Sequence, residues 1–135
     1  MDSKLKHLEF VQAVINRLST NSFLLKGWSV VLIASLFALS SNDSNSEFVF
    51  LAYIPAIIFW GLDGYFLWQE RVYRELYNRI RTKNDEEIDF SMDTRDVSKD
   101  VAGWVDATLS KTLVPFHGVL IAAIILVMLI QTGRI

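Results

Sequence analysis

Lys26, Asp63 and His117 are the ionisable residues that fall inside the long apolar runs of this 135-residue chain, and each stands in a different run. A charge left in hydrocarbon costs several kcal/mol, so such residues face a protein interior or a watery path and serve as ion pairs, gates or relays. Lys26 lies about three residues into its run, Asp63 about five before Trp68 and His117 about four past Leu113, so at ~1.5 Å per helical residue all three share one layer. Two readings stay open. The layer is a polar cluster lining a gate or ion path near the cytoplasmic face, or Asp63 and Lys26 form a pair that pins two spans while Lys26 reaches toward the headgroups. Gly27, Gly61, Gly64 and Gly118 fall at the same depth, where missing side chains let helices approach closely, so the layer is expected to be a tight polar collar.

The elements that must position this layer are the runs themselves. Residues 23–40, 48–68 and 113–131 are each about long enough to cross the hydrocarbon core of a bilayer as a helix. With 52% hydrophobic residues in so short a chain, one small soluble core would not hide all three. The expected fold is an all-α integral membrane protein with three transmembrane helices, an N-terminal amphipathic helix (1–22) and a cytoplasmic helical extension with an acidic connector (69–112). The loop 41–47 has no Lys or Arg, whereas 69–112 has Arg71, Arg74, Arg79, Arg81, Lys83, Arg95, Lys99 and Lys111, and 1–22 has Lys4, Lys6 and Arg17. Positive charge is retained in the cytoplasm, so the N-terminus and 69–112 are expected inside, and 41–47 and the C-terminal 132–135 outside, with Arg134 the one basic residue against the trend. A cleaved signal peptide is not expected, because 22 amphipathic residues precede the first run.

Within 1–22, Leu5, Leu8, Val11, Ile15 and Leu18 recur at helical spacing and need a partner surface: the extension of the second span, the headgroup layer or another protein. Thr20, Asn21 and Ser22 offer capping side chains, so a turn is expected before the first span. The second span should continue past Trp68, with Val72, Leu76 and Ile80 on one line and i,i+4 pairs Glu70–Arg74, Arg71–Glu75 and Glu75–Arg79 on its flank. Val97, Val101, Trp104 and Leu109 resume a helical spacing that leads into the third span. Pro55 and Pro115 each predict a kink or break.

Several function classes recede. The chain has no Cys, two His and a net charge of −2, which removes thiol chemistry, makes a zinc site lean on carboxylates and gives no global pull on nucleic acid. Phosphate loops, Ser/His/Asp order and HExxH helices are absent from the sequence, so neither enzymatic activity nor a cofactor or metal is expected. Trp28, Trp60 and Trp68 suit interfacial anchoring or packing. In a symmetric homo-oligomer Arg71, Arg74 and Arg81 would become rings that attract anions or a phosphate-bearing signal; in a single chain they are an ordinary solvated or lipid-facing flank.

Two stretches, residues 16–28 (NRLSTNSFLLKGW) and 59–71 (FWGLDGYFLWQER), together resemble a family of small, three-span bacterial inner-membrane proteins associated with antiphage defence gene clusters. The connector 88–95 and the stretch 115–118 fit the same pattern. The resemblance implies a membrane effector encoded beside a soluble sensor or nucleotide-synthesising protein, answering a nucleotide or oligonucleotide signal and impairing the inner membrane of an infected cell. The expected function is an oligomeric pore or ion channel; the other reading is a non-conducting anchor that recruits a cytoplasmic defence enzyme.

Overall fold

Helix accounts for almost all regular structure in the computed structural model, which describes residues 2–40 and 47–133 and contains no strand among them. Six helices follow in order: α1 (Asp2–Ser40), α2 (Phe48–Leu51), α3 (Tyr53–Arg81), α4 (Arg95–Ser98), α5 (Trp104–Thr108) and α6 (Val114–Gln131), with a 3₁₀ turn at Asp85–Glu87. Three stretches, Asp2–Ser40, Phe48–Arg81 and Val114–Gln131, are long and apolar enough to cross a membrane. Their outward faces carry large exposed apolar side chains, among them Phe23, Val31, Ile57, Val119 and Leu126, as lipid-facing helices do. The expected loop 41–47 lies outside the described residues except for Glu47, and so do Met1, Arg134 and Ile135.

The turn expected at Thr20–Ser22 does not form: α1 is one helix of 39 residues. No Gly or Pro interrupts 20–22, and the Ser22 hydroxyl bonds across to α3 instead of capping a backbone amide. The N-terminal half of α1 therefore continues from the span without a break, and its apolar stripe meets the polar end of α3. Val11, Ile15, Val72, Leu76, Ile80 and Val97 form a buried core there, flanked by Leu8, Tyr73, Tyr77, Ile88, Met92 and Val101. Of the partner surfaces open to that stripe, the extension of the second span is the one it takes. Fully burying each large aliphatic side chain contributes about 1.5–3 kcal/mol, enough to hold two long helices side by side.

The two prolines act at boundaries. Pro55 has no N–H for the Leu51 carbonyl, and the helix is interrupted at Ala52, between α2 and α3. Pro115 sits in the first turn of α6, where its missing N–H is no loss, so it starts that span and does not kink it. The helical spacing read through Val97–Leu109 resolves into two short helices, α4 and α5, because Gly103 is extended between them. A second core, of Ile33, Val49, Ala52, Ala56 and Ile124, joins the three spans at the end away from the connector, where Gln131 Nε2 donates to the Ser40 carbonyl and hydroxyl, both at 3.0 Å.

Candidate functional site

Asp63 is fully buried, and three side chains from two other helices converge on it. From α6, His117 Nε2 lies 2.7 Å from Oδ2; from α1, Lys26 Nζ lies 2.7 Å from the same oxygen, and the Ser22 hydroxyl donates to Oδ1. Lys26 also donates to Ser22 Oγ at 2.8 Å, closing a loop of three polar groups to which His117 is joined through Asp63. Ser22 and Lys26 are one turn apart and so share the face of α1 turned toward α3. The layer expected from Lys26, Asp63 and His117 thus meets at Asp63, which Lys26 and His117 reach from the other two spans.

An ionised carboxylate only accepts, so the Nε2–H of His117 donates to it, and Nδ1 is the ring's other nitrogen. That Nδ1 is buried and meets no hydrogen-bonding protein group among the described residues. Lys26 pairs with Asp63, and the Lys26 side chain keeps 24% exposure, so the cluster has one edge open. The His117 ring stacks on Trp60, with centroids 5.8 Å apart and planes within 6°, and Phe116 meets it edge-on.

Trp60 ties this cluster to α5. Its Nε1 donates to the Thr108 carbonyl at 2.8 Å, and Trp104 Nε1 returns a bond to the Gly61 carbonyl at 2.9 Å. Gly64 makes the approach feasible, since a Cβ there would overlap Thr108 Oγ1 and lie 3.0 Å from the Thr108 Cα. Gly61 has only ordinary contact with Trp104, and Gly27 and Gly118 face open space. The glycine collar is therefore realised at Gly64, and it admits α5 instead of another span. Among the tryptophans, Trp28 is exposed as an anchor would be and Trp60 is a site residue.

The basic residues are arranged differently. Arg74 is exposed and pairs with Glu70 at 3.2 Å, Arg81 is exposed in the last turn of α3, and Arg71 is half-buried. Arg81 stands ten residues from Arg71, about 15 Å along the axis, so the three do not converge within one chain. Arg79 crosses elements, pairing with Glu75 and with Asp100 of the connector.

Two groups escaped sequence reasoning. Ser22 was legible as a cap but not as the fourth member of the cluster. His7 is fully buried, with Nε2 2.9 Å from the Ser91 carbonyl and its ring against Phe90. Phe90 has a φ of 55°, a left-handed conformation uncommon for an aromatic residue, and the flanking turn is held by Asp89 accepting from the Ser91 amide, a bond that holds the Asp89 carboxyl below its ordinary range. Among the described residues, no group of three or more His, Asp or Glu side chains is arranged to hold a metal ion.

Fold and site together define a multi-pass, all-helical membrane protein braced by a four-residue polar cluster centred on the buried Asp63. Comparison with protein-family models, curated proteins and solved structures finds no match for the chain.

Proposed function

We propose that the chain is a homo-oligomeric pore- or channel-forming effector of the bacterial inner membrane, with its N-terminus cytoplasmic and its C-terminus periplasmic, and that the Ser22–Lys26–Asp63–His117 cluster is its gate. The observation that carries the reading is that ionisable groups from three spans meet on one buried carboxylate. Three spans enclose no wide path, so conduction belongs to an assembly, and separating α1 from α3 would uncover Asp63 to water. The defence role rests on the resemblance of residues 16–28 and 59–71, with control by a cytoplasmic sensor or a nucleotide-bearing signal acting on the polar bundle and its Arg71, Arg74 and Arg81.

One observation favours the anchor reading. The polar halves of α1 and α3 close over a core of their own, which gives a cytoplasmic enzyme a firm platform. Planar-bilayer recording separates the two readings. The purified wild type should carry current, and Asp63→Asn, which keeps the shape but discharges the hub, should change conductance or open probability at equal assembly. Silence from both, with no effect on survival of expressing cells at equal membrane abundance, would leave the anchor.

A further inference from the structure

We infer that α5 and the turn leading from it to Leu113 form an interfacial wedge seated among the acyl chains of the leaflet nearest the connector, with lipid as the partner of its outer face. Sequence composition assigns this stretch to the water-exposed segment 69–112, but its contacts place it elsewhere. Trp104 and Thr108 bond to Gly61 and Trp60, and Gly64 admits Thr108. Those positions on α3 precede Trp68 and are level with Asp63, so α5 lies about 10 Å inside the end of the apolar run. Its inner residues, Ala107 and then Leu113, join a small buried core with Leu67.

The outer face has the character of the spans beside it. Val105 is 60% and Leu109 63% exposed, matching Ile57 at 61% on the adjacent face of α3. Ile57, Trp60, Trp104 and Leu109 line a groove of about 260 Å³ between the two elements, with apolar walls apart from the Thr108 hydroxyl, which is already spent on the Trp104 carbonyl. Because this surface runs without a break into the lipid-facing side of a membrane-crossing helix at the same depth, the same solvent covers both. Asp106 and Lys111, the charged residues of the stretch, are exposed and suit an element at the headgroup boundary, not one at the bilayer centre.

The chain has no cysteine, so single-site spin labelling needs no background removal. Val105→Cys, Leu109→Cys, Ile57→Cys and Lys99→Cys are labelled with a nitroxide in full-length protein, reconstituted in phosphatidylethanolamine–phosphatidylglycerol vesicles. Collision with oxygen is then compared with collision with a water-soluble nickel chelate. Labels at Val105, Leu109 and Ile57 should favour oxygen several-fold, and the label at Lys99 should favour nickel. A nickel preference at Val105 and Leu109 like that at Lys99 would place α5 in water and overturn the wedge. Low collision with both reagents, accompanied by spin–spin broadening, would show a second copy seated on α5 and overturn it equally. All four positions are exposed, so the substitutions leave the core intact, and the Ile57 label shows what lipid contact looks like in the same preparation.

Discussion

At the residue scale the molecule turns on one carboxylate. Asp63→Leu leaves Lys26 and His117 beside a low-dielectric gap, and removing one partner of a buried pair costs about 3–5 kcal/mol. Ser22→Ala removes a neutral hydroxyl from the same loop and should cost about 1 kcal/mol. Unfolding of the two variants and their double mutant in lipid nanodiscs should show the second cost largely absorbed by the first, because both changes act on one network. Outside the candidate spans, Arg95 grips Asp93 through its side chain and backbone amide, which holds that carboxyl down at about 2, against an ordinary 3.8. A depressed carboxylate adds stability above the unfolded value and loses it as pH falls through the folded one. Carbon-13 titration should therefore find the Asp93 midpoint near 2, and the turn before α4 should loosen only between 3.8 and about 2. Lys26, Asp63 and His117 were legible because helical rise is fixed and apolar runs have countable ends. Ser22 was not, since a serine hydroxyl four residues before a lysine serves equally as a cap or as a ligand, and only the neighbouring helix decides. His7 was hidden for a similar reason: its partner is a backbone carbonyl 84 residues away.

At the scale of elements, the spans and the polar extension of α3 were readable from hydropathy and period, while junctions depended on packing. The polar residues at 20–22 suggested a turn, yet burying Val11 and Ile15 against Val72 and Leu76 rewards a helix that runs straight through. Ile15→Ala should weaken that seam by about 2–5 kcal/mol. Hydrogen exchange should then quicken over residues 2–18 and over the polar half of α3, with the spans unchanged; uniform exchange throughout would show that the seam adds nothing. Period alone also ran Val97 to Leu109 together, because it does not register the extended backbone at Gly103 that turns α5 back toward Gly64.

For the whole molecule, the asymmetry of Lys and Arg gives a direct check. A reporter fused after Thr82 should behave as cytoplasmic and one placed at Asn42 as external; the opposite labelling would invert the arrangement. Native mass measurement in nanodiscs should find more than one copy, and a strictly monomeric protein would remove the pore reading. Membership of the spans was legible because the bilayer imposes length and polarity on each helix separately. Assembly was not, because lipid and a second copy present the same apolar surface to an outward leucine.

The unbroken α1 turns local geometry into leverage. Gln131 fastens its far end at Ser40, which makes that end a pivot. From there Ser22 lies about 27 Å along the rod and Asp2 about 57 Å, so a sideways push at the tip reaches the cluster at roughly half its amplitude. A load that drags the tip about 4 Å would move Ser22 and Lys26 about 2 Å, enough to part hydrogen bonds of ordinary length. Whatever grips the first turns of this protein therefore holds the long arm of a crowbar whose short arm ends at Asp63.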